Sequence, residues 1–320
     1  MAVTAPVDVD ASTRPRTTTG RGRLTRLVRD RTLLLMMLPG LVFFLLFEGA
    51  ALLGNVVIFL DYVPFLGFSG SRWVGLDNAV ELFADPSFWQ ALVNTVALAL
   101  LQLIFFFPLP VALALLLHSI TRDWIRKSVQ SIVYLPHFVS WVIVVAMFQQ
   151  VLGGAGLLNG VLADNGLHTV SIFSDPALFR PLMVAELIWK DCGWGTIIVL
   201  AALHNVDDQL YEAAAMDGAS AARRLWHVTL PALRPILILL LILRLGDILN
   251  VGFEQVLLQR DSFSPRVAEV LDTFTYYHGV IGGNWGGAAL AGVIKGLIGL
   301  ALVIVANRIA HRLGEEGVYR

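Results

Sequence analysis

Charged side chains are scarce: they make up 15% of the 320 residues, against about a quarter in soluble domains. That shortage excludes an ordinary soluble globular domain. Cys192 is the single cysteine, so an internal disulfide is excluded. The chain has no G-x4-G-K-[ST] run, so nothing in it cradles nucleotide phosphates. Its seven histidines are scattered, with no His/Cys cluster at metal-ligand spacing. No nucleophile–base constellation stands out either. The expectation is a chain that is not an enzyme, with no metal, no cofactor and no nucleic-acid partner. An internal repeat, the mark of many secondary transporters, is also missing.

What is abundant is apolar. Hydrophobic residues reach 57% and the mean hydropathy is +0.72. Six runs approach the roughly 20 apolar residues that a helical span needs: 33–60, 88–117, 132–152, 181–203, 232–253 and 286–310. The fold class is therefore an all-α integral membrane protein with six transmembrane helices. The cations orient it. Of 23 Lys and Arg, seven lie in residues 1–32, three in 118–131, three in 204–234 and three in 306–320. The alternate loops hold only Arg72, Arg180, Arg260 and Arg266, which fits both termini and the 205–231 loop in the cytoplasm. Residues 1–31, rich in Thr, Arg, Pro and Gly, read as a disordered basic tail. Residues 32–312 read as the membrane domain and 313–320 as a second cytoplasmic tail. The 21–60 stretch is too long for a signal peptide and reads as an uncleaved first span.

Proline and charge mark the irregular places. Pro39-Gly40 predicts a kink in span 1, and Phe107-Pro108-Leu109-Pro110 a bend or break in span 2. Ionisable groups inside a span cost about 2.5–3.5 kcal/mol at the centre unless they pair or meet water. Span 4 holds Glu186, Lys190 and Asp191 beside Gly193-Trp194-Gly195. Glu186 and Lys190, four apart, can neutralise each other. In span 5, Asp247, Asn250 and Glu254 fall at i, i+3 and i+7, a polar stripe on one face, and Arg244 lies one turn before Asp247, within pairing reach. The alternatives are internal pairs that fix packing, or a shared aqueous path lined by this stripe and by Lys190, Asp191 and Trp194. A sugar site needs carboxylates and amides for hydroxyls and an aromatic face for the ring; Trp194, Asp191, Asp247 and Asn250 supply those types. Glu48 and Lys295 are weaker candidates for the same path. Ala288, Gly292 and Gly296 form a small-residue row suited to close helix packing.

The most patterned stretch is cytoplasmic, Tyr211–Pro231. Asp207 or Asp208 can N-cap a helix from about Gln209. Leu210, Ala213 and Ala214 make a shallow apolar face, and Gly218 after Asp217 is a C-terminal stop. Ser220 can cap a second short helix through His227, and Pro231 suits the first turn of the next long one. A helix of about nine residues is marginal alone in water, so the stretch reads as a knob that becomes rigid by docking.

Glu212-Ala213-Ala214, three residues, Gly218, nine residues, Val228, Thr229, Leu230-Pro231 resembles the EAA loop of permease subunits of binding-protein-dependent ABC importers, with Val228 in place of the usual Ile. RWVGLDNAVELFADPSFWQALVNT, YLPHFVSW, LYEAAAMDGAS, LWHVTLP and GFEQVLL extend the likeness to the carbohydrate branch of that family, which handles oligosaccharides and polysaccharide fragments and is related to the maltose transporter permease. The resemblance implies a type I importer permease fold. It implies that Glu212, Ala213, Ala214, Asp217, Gly218, Leu230 and Pro231 serve ATPase coupling. Lys190, Asp191, Trp194, Arg244, Asp247, Asn250 and Glu254 fall in the parts of two spans that carry substrate contacts in such importers. Implied partners are a second permease, two ATP-binding cassette subunits, an extracellular or periplasmic solute-binding protein and a carbohydrate substrate, in a bacterial cytoplasmic membrane. A permease of the same type for a non-sugar solute and a proton-coupled secondary transporter are the rival readings.

Overall fold

The computed structural model describes residues 31–315, 317 and 318. The expected basic tail, apart from Arg31, lies outside them. The chain divides into two units, residues 1–55 and 56–320. In the first, α1 (Arg31–Phe44) runs through Pro39, and the irregular turn comes later, as a π-turn at Leu45–Gly49. Glu48 sits in that turn, exposed.

The second unit opens with a two-stranded hairpin, β1 (Leu60–Asp61) and β2 (Arg72–Trp73), with Leu60 opposite Trp73. Next come α2 (Asp77–Ala84) and α3 (Pro86–Leu101), the latter capped by Asp85, which accepts from Ser87 N at 2.8 Å. The break expected near Pro108 takes the form of a π-turn at Gln102–Phe106, after which α4 (Pro108–Ser119) continues. Proline lacks an N–H, and a locally widened helix is one way to absorb the missing bond. Then follow α5 (Asp123–Tyr134), a 3-10 turn at Leu135–Phe138, α6 (Trp141–Leu152) and α7 (Leu157–Asp164). Span 3 therefore starts at Trp141 rather than at residue 132, because Pro136 ends the preceding helix. The 26-residue α8 (Phe179–His204) leads to the short α9 (Asp208–Met216).

Two expectations about the C-terminal half change. The second cytoplasmic helix does not stop at His227. Helix continues from Ala221 to Gly246, through a π-turn at Leu225–Thr229 into α10 (Leu230–Gly246). The Leu230 N–H reaches back to Leu225 O, so the chain passes Pro231 without a break. Span 5, expected to reach residue 253, ends at Gly246, with Asp247 as its C-cap. Gly252, at φ 101°, turns the chain into α11 (Phe253–Gln259); only glycine adopts that conformation readily.

Residues 254–285, the stretch between spans 5 and 6, pack against the core. Val256, Phe263, Val270 and Leu271 are buried against Leu98, Phe179 and Met183 or neighbouring core residues. Side chains of α3 stitch this segment down. Asn94 Nδ2 donates to Arg266 O and Glu269 O, and Leu271 N donates to Thr95 Oγ1 at 2.8 Å. A helical turn, α12 (Leu271–Phe274), and a π-turn at Thr275–Ile281 precede the 28-residue α13 (Trp285–Arg312). Beyond α13 the chain folds back: Arg234 binds Glu315 and Leu313 O, and Asn307 accepts from Val318 N.

Among the described residues, five stretches are long and apolar enough to cross a membrane: 31–59, 86–119, 141–164, 221–246 and 285–312. The remaining expected span, the fourth, corresponds to α8, which carries Arg180, Glu186, Lys190 and Asp191 and does not qualify by composition. It packs tightly nonetheless. A Cβ on Gly193 would sit 2.1 Å from Val133 O, and one on Gly195 would sit 3.0 Å from Pro110. Thr196 Oγ1 donates to Cys192 O, and α4 lies alongside. Among the described residues, the small-residue row of α13 is approached only at Ala288, which lies 2.4 Å from a would-be Cβ on Gly279. Gly292 and Gly296 have no neighbour within 4 Å, whereas Gly299 faces Gly246 O at 2.7 Å from its would-be Cβ. The close crossing is thus Gly246 on Gly299, where α10 ends.

Candidate functional site

The cytoplasmic stretch forms a small, fully capped helix. Asp207 accepts from Gln209 N at 2.9 Å. At the other end Gly218 takes φ 73°, Gly218 N donates to Ala215 O at 3.0 Å, and Ala219 N donates to Ala214 O at 2.9 Å. That bond pair is a Schellman cap. Ser220 then accepts from Arg223 N. Tyr211 and Thr229 share a hydroxyl contact of 3.1 Å, tying α9 to the helix that follows. Glu212, Ala213, Asp217 and Gly218 are exposed, and so are the apolar Leu210 and, at 88%, Met216. A short helix capped at both ends presents apolar side chains that no other described residue covers. Leu230 and Pro231 sit at the other end of the motif, at the start of α10.

The polar residues of the spans gather into two groups. In the first, Lys190 does not neutralise Glu186. Its Nζ donates to His137 O and Val139 O, both at 2.7 Å, and lies 5.6 Å from the Trp141 ring centroid. Those carbonyls flank the break between the Leu135–Phe138 turn and α6, where no helical amide reaches them, so an ammonium supplies the donors. Glu186, one turn earlier on α8, is fully buried and accepts instead from Gln255 Nε2 (2.8 Å) and Gln259 Nε2 (2.7 Å) of α11. Lys190→Met should cost about 1–3 kcal/mol for each carbonyl left without a donor. A lowered melting temperature of the purified protein checks this, and an unchanged one would remove Lys190 from its bracing role.

Beside Lys190, Asp191 Oδ1 accepts from His137 Nδ1 at 2.8 Å, and His137 stacks on Trp194 at 4.4 Å with a 6° interplanar angle. A carboxylate only accepts, so His137 Nδ1 carries the hydrogen of this bond. Trp194 stays 46% exposed. Asp191, His137 and Trp194 therefore make a carboxylate–imidazole–indole wall, the donor and acceptor types that sugar hydroxyls and a sugar ring use.

The second group lies where α10 breaks. Asp247, Asn250 and Glu254 are not on one helical face, because the helix stops before the first of them. Asn250 donates to Asp247, Lys295 of α13 donates to Asn250, and Lys295 pairs with Asp272 of α12. Glu254 points away into the exposed first turn of α11 and joins none of these contacts. Arg244 makes no ion pair with Asp247 within 4.0 Å; its Nη2 donates to Gln102 Oε1 at 2.9 Å, and Gln102 Nε2 donates to Val251 O. Asp191 and Asp247 both lie within electrostatic reach of Arg244. Unwound backbone at membrane depth is tolerated where it lines a cavity or is buried in protein.

Sequence reasoning did not single out His137, Gln102 or Asp272, which join these groups. His137 and Gln102 lie next to helix irregularities, at Pro136 and Pro108, which is the signal available in the sequence. Asp272 carries no local signal at all.

Residues 107–314 match the family model described as the binding-protein-dependent transport system inner membrane component. The polygalacturonan/rhamnogalacturonan transport system permease protein YteP of Bacillus subtilis is 45% identical over 297 residues, covering 92% of each chain. Protein LplB of the same organism is 43% identical over 319 residues, 99% of each chain. A crystallised bacterial alginate ABC transporter, in complex with an alginate pentasaccharide-bound periplasmic protein, has a chain with TM-score 0.83 and 35% identity, covering 92% of this chain and 99% of its own. With the type I permease helices in place and the capped α9 ahead of α10, the chain belongs to the family of binding-protein-dependent transport system inner membrane components.

Proposed function

We propose that the chain is the permease subunit of an ATP-driven importer for an oligosaccharide, in a bacterial cytoplasmic membrane. The observation that carries this is α9, a helix with a cap at each end and an apolar face that the other described residues leave exposed. Its family membership and its relatives, permeases named for sugar and polysaccharide transport, support the same reading.

In this reading α8 is the fourth of six spans, its charges satisfied by neighbours rather than by lipid, and both termini are cytoplasmic. Two ATPase subunits dock on α9, through Glu212, Ala213, Ala214, Asp217 and Gly218, with Leu230 and Pro231 seating the motif on α10. A second, different permease completes the path, and an external solute-binding protein delivers the sugar. The chain hydrolyses no ATP itself. Asp191, Trp194, Asp247 and Asn250 meet the sugar, Arg244 lies within electrostatic reach of both aspartates, and Lys190 braces the wall that holds Asp191. Glu254 stands at the outer mouth.

ATPase closure moves α9, and α9 is joined to α8 by a three-residue turn and to α10 through the Tyr211–Thr229 contact. Both helices carry the polar groups, so the docking helix has a short mechanical link to the path. Vesicles carrying the purified complex should accumulate oligosaccharide only with ATP inside the ATPase compartment and binding protein on the opposite side. Uptake by vesicles lacking the ATPase, driven by a pH gradient alone, would instead establish the secondary-transporter reading.

A further inference from the structure

Between the stretches 31–59 and 86–119 lies α2, which belongs to neither. With its N-cap Leu76 it divides into three faces. At about 3.6 residues per turn, Leu76, Val80 and Phe83 share one face, Asp77 and Glu81 a second, and Asn78 and Leu82 a third. The third face is spent on the protein. Asn78 Nδ2 donates to Ile58 O at 2.8 Å and to Leu60 O at 2.9 Å. Gly286, at the start of α13, lies so close that a Cβ there would overlap the same amide. Leu82 is buried with Phe88, Phe274 and Ala291. The helix is held against rolling, so its other two faces have fixed directions. The acidic face is exposed, which suits water. The apolar face is just as open: Leu76 is 66%, Val80 67% and Phe83 48% exposed.

That apolar face does not end with α2. Phe83 packs on Trp89 with ring centroids 6.0 Å apart, and Trp89 Nε1 donates to Phe83 O at 2.9 Å. Trp89 opens an exposed row on α3, continued by Val93, Val96 and Leu100 at i+4, i+7 and i+11. This α3 row is the outward side of a stretch apolar enough to cross a membrane. The chain bends at Asp85, whose backbone is extended, and the apolar surface continues round the bend onto α2. A helix with one apolar and one charged open face is the kind that lies in a membrane–water interface, apolar side toward the acyl chains. Tryptophan, which stands at the junction, favours the headgroup level. Between Arg72 and Arg122 the chain has no Lys or Arg, so the seat rests on apolar burial and not on attraction to anionic lipid.

We propose that α2 is an interfacial anchor. Its Leu76, Val80 and Phe83 face is seated in the lipid of the leaflet where α3 begins, with Asp77 and Glu81 toward water. Because α2 is fixed to α13 at Gly286 and joined to α3 at Asp85, it sets the depth of both helices in the bilayer. The anchor needs a membrane and no step of transport.

The test uses the complete transporter in lipid nanodiscs, with Cys192→Ser and a nitroxide attached through Val80→Cys or, in a second sample, Glu81→Cys. Oxygen, which partitions into acyl chains, should reach the label at 80 readily. A water-soluble nickel chelate should reach it about threefold less, or lower still, than it reaches the label at 81. Equal access of the chelate to both labels would put the apolar face in water and overturn the anchor. A label at 80 shielded from oxygen as well as from the chelate would show that protein covers the face, and overturns it too. The same holds if that shielding appears only when binding protein is added. If the cysteine variants fail to assemble, the unsubstituted transporter is irradiated with a phospholipid carrying benzophenone on an acyl chain. Adducts at Val80 or Phe83 are expected, and none within 76–85 would overturn the proposal. Neither measurement uses ATP or sugar, so the importer reading stands or falls separately.

Discussion

Gly193→Leu should abolish accumulation of the folded protein in the membrane, whereas Gly292→Leu should leave it intact. Both are glycines inside long helices, and sequence alone does not separate them. At Gly193 a Cβ would meet Val133 O at 2.1 Å and Val133 C at 2.6 Å. These are backbone atoms of α5, so no side-chain rotation relieves the overlap, and the two helices must separate. Overfilling a packed site costs about 1–3 kcal/mol even where neighbours can adjust. Here the neighbour is main chain, and opening this crossing also disturbs Thr196 and the packing of Gly195 on Pro110. A protein with about 5–15 kcal/mol of stability has little room for that. At Gly292 nothing lies within 4 Å. Expression as a fluorescent fusion followed by size-exclusion chromatography reads both variants. A monodisperse Gly193→Leu peak at normal level would show that the α5–α8 approach is looser than 2.1 Å implies.

That pair of glycines marks where the sequence stops being informative. Features fixed by neighbours in the chain were legible: the Asp207 cap, the Gly218 stop and the Ser220 cap all need only a few consecutive residues. Features that depend on whether a helix continues were read less well. The Asp247/Asn250/Glu254 stripe assumed unbroken helix, and Gly246 and Gly252, each ordinary in a membrane span, end that assumption. At Pro108 and Pro231 the chain resolves a missing amide with a π-turn, a choice that depends on packing against other helices.

Partner choice was the least legible. Glu186 and Lys190 have the spacing of an ion pair, yet each finds a better-placed group from a distant segment: two glutamine amides for one, two stranded carbonyls for the other. Nothing within four residues reports that Gln255 or Val139 will be there. The packing of segment 254–285 was illegible for the same reason. Its short helices look like loop in the sequence, and only Asn94 and Thr95, more than 170 positions earlier in the chain, explain why it is held inside.

Gly218→Pro should reduce ATP-driven uptake at least tenfold while insertion and folding of the membrane part remain normal. Proline fixes φ near −65°, and Gly218 sits at +73°. The substitution also removes the N–H that binds Ala215 O. Both losses fall on the C-terminal cap of a nine-residue helix, which without caps is marginal in water. The apolar face of Leu210, Ala213 and Met216 would then no longer be presented as one rigid surface. Gly218→Asn separates strain from chemistry, because asparagine tolerates the left-handed region; it should retain most of the uptake. Glu212→Lys tests the surface itself, since Glu212 is exposed and makes no contact that holds α9 together. It should weaken co-purification of the ATPase and uncouple transport with α9 still folded. The discriminating comparison is between the arms: loss in Gly218→Pro with normal Glu212→Lys would assign α9 a purely architectural role. Normal uptake in both would remove it from the coupling path. Loss in both, with ATPase association reduced and protein level unchanged, is the outcome that a preformed docking helix demands, because the helix is rigid before its partner arrives and a change at its cap or on its face is felt only at the interface.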